Sequence, residues 1–390
     1  MPIAIYALSL AVFAVGTAEL IIAGILPDLS TDFGVDIPTA GLLVTGYALA
    51  VAIGGPLFAL LTARLPRKPM IVGLLVLFVV GQVLCAVAPS YGWLLAARIL
   101  VACGHGLFFG AGSVAAAELA PPGKRAAALS LFLAGFAVAT ILGVPLGTAV
   151  GNAFGWRWSF WAIGALALLA TVLVAVLLPP APPERSRPAG LRAEIKALGH
   201  QHVYLSYAII ACVMTGALAF ATYQVPLLIA VTGVPQDWTP AYLVLGGIGT
   251  AFGIFGGGRA GDWRLMPSLI AILIGQALVS VLLLPAVGTP VAVAFGLFLW
   301  SALGSAFDAP IQSRILAAAH AAPNLAATLV STAFNIGIAL GAWIGGVWIA
   351  SGLGYQTLPI IPAIASALAG GIGLLSWSLD RRAASAVAAT

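Results

Sequence analysis

The sequence repeats itself at a constant offset. Four short landmarks in the first half recur 199 positions later in the second half. They are Leu26-Pro27 with Val225-Pro226, Gly34-Val35 with Gly233-Val234, Gly147 with Gly346, and Gly155-Trp156 with Gly354-Tyr355. Because four separate landmarks keep one offset, the chain is predicted to contain two copies of one structural unit, joined by a polar stretch.

Composition limits the environment in which these two units can fold. The chain is 62% hydrophobic and 7% charged, whereas soluble domains carry roughly 25% charged residues. Apolar runs of about 20 residues are long enough to cross a bilayer core of about 30 Å. We predict spans near residues 4–26, 39–62, 69–88, 93–117, 126–149, 158–180, 203–231, 240–257, 267–286, 290–315, 325–350 and 357–379.

The predicted fold class is therefore an all-α membrane protein with twelve transmembrane helices in two pseudo-symmetric six-helix bundles. Residues 1–180 form the N-terminal bundle, 181–202 a cytoplasmic linker, and 203–390 the C-terminal bundle. The first span is too long for a signal-peptide core, so we expect it to be retained.

The basic residues orient the spans. With the N-terminus in the cytoplasm, the cytoplasmic side receives Arg64, Arg67, Lys68, Lys124, Arg125, Arg185, Arg187, Arg192, Lys196, Arg259, Arg264, Arg314, Arg381 and Arg382. Of the sixteen Lys and Arg residues, only Arg157 falls outside and Arg98 within a span. Excess positive charge marks cytoplasmic loops, so both termini are predicted to be cytoplasmic.

Ionisable groups inside spans are rare and therefore informative. Glu19 lies in span 1, Arg98 and His105 in span 4, and Asp308 in span 10. A charge at mid-bilayer costs about 2.5–3.5 kcal/mol on insertion scales, so such groups usually face a cavity or a partner. Spans 1, 4 and 10 thus carry the candidate proton-coupling residues Glu19, Arg98 and His105, together with Asp308.

Depth suggests how these groups meet. Counted along their spans, Glu19 and Arg98 lie at a similar outer depth, and His105 lies two turns further in. Glu19 and Arg98 are expected to pair, either for proton transfer or as a fixed structural ion pair. His105 either titrates, since an unperturbed histidine has a pKa of about 6.5, or stays neutral and hydrogen-bonded.

Asp308 has its own alternatives. It lies toward the cytoplasmic end of span 10, shares a helix face with Gln312, and precedes Arg314 by six positions. A cytoplasmic gate, an ion pair with Arg314 and a substrate contact are all compatible with this position.

Glycines recur every fourth residue in span 5, at Gly143, Gly147, Gly151 and Gly155, and again in span 11. Small residues at this spacing let helix backbones approach closely, and Pro145 predicts a kink. We expect these stripes to provide a close, bendable contact between the two halves.

Several motifs together resemble the drug/proton antiporter branch of the major facilitator superfamily, in particular bacterial sugar, nucleoside or chloramphenicol efflux permeases. They are Gly16-Thr-Ala-Glu19, Gly24-Ile-Leu-Pro27, Arg98 with His105-Gly106, Gly143-Val-Pro-Leu-Gly-Thr148, Gly155-Trp-Arg157, Pro310-Ile-Gln-Ser-Arg314, Ala326-Ala-Thr328 and Ala333-Phe-Asn-Ile-Gly337. The resemblance implies that Arg98 takes part in proton transfer and that Gly143–Gly147 belongs to the antiporter stretch of span 5. It also implies a substrate site near the midplane between two six-span repeats.

The chain departs from the family pattern between spans 2 and 3. The signature glycine and aspartate are replaced by Ala59 and Ala63, ahead of the basic residues Arg64, Arg67 and Lys68. The second repeat keeps its version, which includes Asp262 and Arg264. We assign these basic and acidic residues, with Gly143, Pro145 and Gly147, to gating, and expect the acidic half of the first clamp to be missing.

The predicted lining of the cavity is polar but carries few fixed charges. Besides His105 it comprises Tyr47, Phe109, Tyr223, Gln224, Trp300, Asp308, Gln312 and Asn335. Amides hydrogen-bond hydroxyls and carbonyls, and aromatic rings stack on sugar or base faces. These residues favour proton-coupled efflux of a small neutral polar compound; a multidrug exporter of lipophilic cations and a proton-coupled importer remain alternatives.

Other function classes lack their signatures. The sequence contains no metalloprotease, hydrolase-elbow or phosphate-loop motif, so we expect no enzyme activity and no cofactor or metal. Its basic residues follow loops rather than forming a stripe, which argues against nucleic acid as a partner. We expect a monomer in a bacterial inner membrane whose partners are protons, a small-molecule substrate and the lipid bilayer.

Overall fold

A computed structural model describes residues 1–62, 65–180, 201–318 and 323–388. Arg64 and nearly all of the predicted linker lie outside these residues. The described part is helical and contains no strand. Its α-helices are α1 (Ile3–Phe33), α2 (Ile37–Thr62), α3 (Arg67–Ala86), α4 (Tyr91–Leu119), α5 (Arg125–Val138), α6 (Val144–Phe154), α7 (Trp156–Leu177), α8 (Gln201–Ala221), α9 (Gln224–Ala230), α10 (Thr239–Ala286), α11 (Pro290–Ala306), α12 (Asp308–Ala318), α13 (Pro323–Ala350) and α14 (Ile360–Ala388).

Eleven helical stretches of the described chain are long and apolar enough to cross a membrane. One of them, Gln236–Ala286, has 51 residues, about twice the length that a bilayer requires. Its helix α10 is interrupted at Arg264, where the backbone leaves helical geometry at φ −152° and ψ 94°. The exposed polar residues Asp262 and Arg264 thus separate two spans within α10, which accounts for the twelve crossings expected from the sequence.

Many large apolar side chains point outward from these helices. Ile53, Leu61, Val176, Phe255 and Val291 are all more than 65% exposed. A water-soluble protein rarely leaves so many large apolar side chains uncovered, whereas lipid tails accept them. The outward faces are therefore suited to a bilayer, and the chain is a multi-pass membrane protein.

The chain separates into two units. Unit 1 comprises Met1–Ser186 and Thr222–Gly247, and unit 2 comprises Arg187–Ala221 and Ile248–Thr390. Helix α9 belongs to unit 1, where it packs against α1. The division of the two bundles by a linker at 181–202 remains a prediction.

The glycine stripe of span 5 packs inside unit 1. A Cβ atom on Gly135 would lie 2.1 Å from the Ser9 carbonyl oxygen, and one on Gly143 would lie 2.1 Å from Thr17 Oγ1. Ser9 and Thr17 both belong to α1, so the stripe lets α1 and the α5–α6 span meet backbone to backbone. The partner of these glycines is thus a helix of the same unit, and the contact between the two halves stays a prediction.

A π-helical turn at Ala139–Gly143 joins α5 to α6. Pro145 lies two residues after this turn, and a proline without an N–H cannot complete the regular helical hydrogen bonding of its own turn. The irregular turn therefore lies where the sequence predicts a kink.

Unit 2 repeats the close packing with α8 and α13. A Cβ on Gly341 would lie 2.3 Å from the Thr215 carbonyl oxygen, and one on Gly337 would lie 2.8 Å from that of Ala211. This stripe also packs within its own unit. The apolar core beside it combines α8, α10, α12, α13 and α14, with Ile210, Leu269, Phe307 and Ile311 among its buried members.

Candidate functional site

A buried polar cluster in unit 1 brings together α1, α2 and α4. The Tyr47 hydroxyl oxygen lies 2.9 Å from His105 Nδ1, which is a hydrogen-bond distance. On the other side of the same ring, His105 Nε2 lies 3.8 Å from Glu19 Oε2. The three side chains form a row from Tyr47 through His105 to Glu19, and each belongs to a different helix.

Close approach of α2 and α4 makes this row possible. A Cβ on Gly54 would lie 2.6 Å from the Cα of Cys103, and one on Gly106 would lie 3.3 Å from the Cα of Gly55. Any larger residue at Gly54 would push the two helices apart. The glycine that follows His105, Gly106, likewise admits the backbone of α2.

Arg98 contacts the cluster but is not part of the row formed by Tyr47, His105 and Glu19. Its guanidinium donates hydrogen bonds to the carbonyl oxygens of Ala18 at 2.9 Å and Glu19 at 3.3 Å, both on α1. The guanidinium also lies 4.4 Å from the centre of the Tyr47 ring, within the range of a cation–π interaction. Arg98 is 1% exposed, so these contacts replace the water that a cation would otherwise require.

The expected ion pair between Glu19 and Arg98 is wrong in this structure. Among the described residues, the cationic or basic side chain within ion-pair distance of the Glu19 carboxylate is His105. The depth argument brought span 1 and span 4 together correctly. The depth of a residue in its span does not predict that backbone carbonyls of α1 accept the hydrogen bonds of the Arg98 guanidinium.

An aromatic wall borders the row on the side of α4 and α5. The Phe109 ring stacks on His105, with centroids 4.8 Å apart and planes 21° apart. Phe132 and Phe136 meet Phe109 edge to face at 6.1 and 6.2 Å. The sequence analysis missed both, although their i, i+4 spacing on one face of α5 could have indicated them.

Tyr47 is expected to fix the tautomer of His105. When the Tyr47 hydroxyl donates to Nδ1, the proton of a neutral ring lies on Nε2 and faces Glu19. Tyr47→Phe should therefore shift the tautomer equilibrium of His105, seen in its ¹⁵N NMR spectrum, and cost about 0.5–1.5 kcal/mol of stability. Tyr91→Phe is the matched control, because it removes a 2.6 Å hydrogen bond to the Thr39 carbonyl instead. An unchanged His105 spectrum in Tyr47→Phe would contradict this role.

Tyr223 and Gln224 lie in unit 1 at the start of α9, and both are buried. The Tyr223 ring packs on Gly41 of α2, where an added Cβ would meet the Tyr223 hydroxyl at 2.1 Å. The packing against Gly41 gives Tyr223 a structural role in addition to any contact with substrate.

The remaining predicted binding residues lie in unit 2. Trp300 is buried, and its ring meets Phe220 edge to face at 4.9 Å. Asn335 donates to the Ser331 carbonyl oxygen at 3.0 Å. Within the described residues, Trp300 Nε1 and Asn335 Oδ1 are buried without a hydrogen-bond partner. Gln312 is exposed on α12.

The alternative of an ion pair between Asp308 and Arg314 is wrong. Arg314 instead contacts Asp380 Oδ2 at 3.0 Å and the Ser376 hydroxyl at 2.7 Å, both on α14. His202 at the start of α8 also lies 3.3 Å from Asp380 Oδ1. The three ionisable side chains tie the ends of α8, α12 and α14 together, and Asp308 is left out of the network.

The predicted gating residues are partly paired. Arg67 at the start of α3 forms an ion pair with Glu118 at the end of α4, and Lys68 follows it. The sequence analysis missed Glu118. This residue gives Arg67 an acidic partner, although the signature aspartate is absent from the chain. Asp262 and Arg264 are exposed at the interruption of α10.

Further polar contacts within unit 1 join α1, α6 and the turn at Gln236–Trp238. The Gln236 amide donates to Asp28 Oδ1 at 2.8 Å, and the Asn152 amide donates to the Gln236 carbonyl oxygen at 2.9 Å. Nearby in sequence, Arg157 forms a 2.7 Å ion pair with Asp32. Hydrogen bonds of this kind hold α1 to the end of α6 and to the short turn at Gln236–Trp238.

A sequence profile described as Major Facilitator Superfamily matches residues 8–328. The chain belongs to the major facilitator superfamily. The resemblance suggested by the motifs of both halves is thereby confirmed, and so is an all-helical transporter fold.

Relatives in this superfamily cover nearly the whole chain. It is 35% identical over 368 residues to the inner membrane transport protein YdhP of Escherichia coli strain K12, with 93% of each chain covered. It is 32% identical over 381 residues to the chloramphenicol resistance protein of Streptomyces lividans, covering 96% of this chain and 95% of that one.

A solved member of the superfamily shares the fold. A bacterial homologue of the human lysosomal transporter Spinster, inward-facing and occupied, superposes with a TM-score of 0.77 and 17% identity, and 96% of each chain is covered. This structural similarity supports the assignment of the superfamily fold to this chain and carries no information about the substrate of this chain.

Proposed function

We propose that this major facilitator protein is a proton-coupled exporter of a small neutral polar compound, such as a sugar, a nucleoside or a chloramphenicol-like amide. The observation that carries the proposal is the position of the Glu19 carboxylate. It faces the His105 ring at 3.8 Å, while the guanidinium of Arg98 is engaged by backbone carbonyls. No arginine or lysine of the described residues lies within ion-pair distance of this carboxylate to hold it in the charged form, so it is free to gain and lose a proton.

The proton would move between Glu19 and the medium by way of the row of side chains. A separation of 3.8 Å is too long for a direct hydrogen bond, and one water molecule can bridge such a gap. A proton entering from outside converts the Glu19 carboxylate to a neutral acid, and its release to the cytoplasm restores the anion. Neutral Glu19 lowers the cost of enclosing the site in an apolar medium, so protonation favours one conformation of an alternating-access cycle.

The substrate class follows from the balance of groups around the row. Glu19 and Arg98 carry opposite charges, and Tyr47 and His105 offer neutral hydrogen-bonding groups. The rings of Phe109 and Phe136 provide flat apolar faces on which sugars, bases or nitroaromatic rings can lie. The Streptomyces relative is a chloramphenicol resistance protein, which supports an amide of that kind as the first compound to test.

The proposal includes the setting of the protein. Both termini lie in the cytoplasm, the protein resides in a bacterial inner membrane, and it functions as a monomer. The Escherichia coli relative is named as an inner membrane transport protein, and the positive charges of the loops support the proposed orientation.

Export of lipophilic cations is the second candidate, and one observation favours it. The Glu19 carboxylate has no arginine or lysine of the described chain within ion-pair distance, and an aromatic wall lies beside it. An organic cation could take the place of the proton there through charge attraction and cation–π contacts.

Binding to the purified protein separates the two candidates. We expect saturable binding of chloramphenicol, or of a nucleoside or pentose from the same panel, and weaker binding in Phe109→Ala. Tight binding of quaternary ammonium dyes, with none of the neutral compounds bound, would overturn the neutral-substrate proposal and support the cation exporter. Phe252→Ala, in an exposed aromatic residue of unit 2, is the control for nonspecific loss of an aromatic ring.

A further inference from the structure

Asp308 is an acidic residue at membrane depth that the proposed mechanism does not use. It begins α12, directly after Phe307 separates α12 from α11. The interruption has a local cause, because Pro310 has no N–H to donate to the carbonyl of Ala306. The freed Ala306 oxygen packs against Gly257 of α10, where an added Cβ would lie 2.0 Å away.

The carboxyl group of Asp308 lacks a partner. Within the described residues it makes no ion pair. Asp308 as a whole is partly exposed, but its Oδ1 atom is shielded from solvent without a hydrogen bond. Its neighbours Phe307 and Ile311 are fully buried in the apolar core of unit 2. An ionised carboxylate placed in this way would be costly, whereas the protonated acid is not.

Within the part of the chain that the structure describes, no charged group on the surrounding elements compensates for this. The helices packed against α12 are α8, α11 and α13, and Gly261 of α10 touches Pro310. Their titratable and charged side chains are His202, Tyr204, Tyr207 and Cys212 on α8 and Arg259, Asp262 and Arg264 on the unit 2 part of α10. The α10 charges are exposed, His202 contacts Asp380, and Arg314 on α12 itself contacts Asp380 and Ser376.

The internal repeat relates Asp308 to the site in unit 1. At the offset of 199 residues, Asp308 corresponds to Phe109, the residue that stacks on His105. Asp308 thus lies on the face of span 10 that corresponds to the site face of span 4. Each unit would then carry one carboxyl group at membrane depth: Glu19 in unit 1 and Asp308 in unit 2.

We propose that Asp308 is a second proton-binding site, separate from Glu19, which holds a proton in the conformation described here. The role of Asp308 in coupling rests on the proposed proton-driven export, whereas the binding of a proton by Asp308 does not. In this scheme export requires the proton on Glu19, and Asp308 adds a second proton per exported molecule, so loss of Glu19 uncouples export altogether, whereas loss of Asp308 removes one of two protons. A pH gradient of one unit would then support an accumulation of about 100-fold, against about tenfold for one proton.

Infrared spectroscopy tests the site without any substrate. The purified protein in lipid should show the carbonyl band of a protonated carboxylic acid at about pH 7, and part of this band should be missing in Asp308→Asn and retained in Glu19→Gln. Asp36→Asn, in an exposed residue that caps α2, should leave the band unchanged. If Asp308→Asn does not fold, Asp308→Glu should keep the band at a shifted frequency. The proposal would be overturned if the spectrum of Asp308→Asn were identical to that of the wild type. It would also be overturned if the band of Asp308→Glu had the same shape and frequency as the wild-type band.

Accumulation of chloramphenicol in proteoliposomes tests the coupling separately, with the membrane potential clamped at zero. At a pH gradient of one unit, Asp308→Asn should reduce the accumulation ratio from about 100-fold to about tenfold. An unchanged ratio would overturn the role of Asp308 in coupling. If the wild type accumulates nothing, the proposed export of chloramphenicol fails, and the infrared band still decides whether Asp308 binds a proton.

Discussion

Glu19→Gln is expected to abolish uphill export driven by a proton gradient while leaving downhill exchange of substrate largely intact. Glutamine keeps the size of the side chain and its capacity for hydrogen bonds, but it cannot take up or release a proton. The site would still open and close around its substrate. It would no longer couple that movement to protons, so the accumulation ratio should fall to one.

The measurement is transport of the substrate identified by binding, in proteoliposomes with and without an imposed pH gradient. Asp36→Asn serves as the control, because Asp36 is an exposed carboxylate that caps α2 by accepting the Thr39 N–H at 2.9 Å. Asparagine caps helices equally well. Full uphill transport by Glu19→Gln would remove Glu19 from the coupling mechanism.

Arg98→Ala is expected to destabilise the protein by about 3 kcal/mol, because it removes hydrogen bonds from a charged donor and leaves a cavity. The guanidinium connects α4 to the carbonyls of Ala18 and Glu19 on α1 and lies over the Tyr47 ring on α2. Arg98→Lys should recover little of this, since an ammonium group cannot present the same planar fork of donors. Thermal unfolding in detergent measures the loss.

Arg157→Ala is the matched control for the loss of an arginine. The Arg157 side chain is 41% exposed, and its ion pair with Asp32 should be worth no more than about 1 kcal/mol. The double variant Arg98→Ala, Glu19→Gln should deviate from additivity by more than about 0.5 kcal/mol, because Arg98 donates to the Glu19 carbonyl oxygen and lies over the Tyr47 ring, so that both residues belong to one buried cluster. A loss in Arg98→Ala no larger than in Arg157→Ala would contradict the structural role of Arg98.

The sequence was sufficient to predict the class of fold. Apolar spans, the repeat and the distribution of positive charge depend on short-range properties that can be counted along the chain. The one long helix that holds two spans was separated correctly, because the polar residues from Gly258 to Arg264 interrupt the apolar pattern.

The site was predicted in part. Span depth brought Glu19, Arg98 and His105 to one region, but depth carries no information on helix rotation or on the reach of a side chain. The hydrogen bond between Tyr47 and His105 depends on how closely Gly54 lets α2 approach Cys103, which is a tertiary property. For the same reason the glycine stripes predicted close helix contacts without identifying α1 and α8 as the partner helices.

The most direct test of the central claim is the movement of protons caused by the substrate itself. A gradient of chloramphenicol, imposed across proteoliposomes that contain a pH-sensitive dye and no initial pH gradient, should drive protons in the direction opposite to the substrate, and Glu19→Gln should abolish this flux. Protons that move in the same direction as the substrate would contradict export by antiport and indicate an importer. Substrate movement without any proton flux in the wild-type protein would contradict coupling altogether.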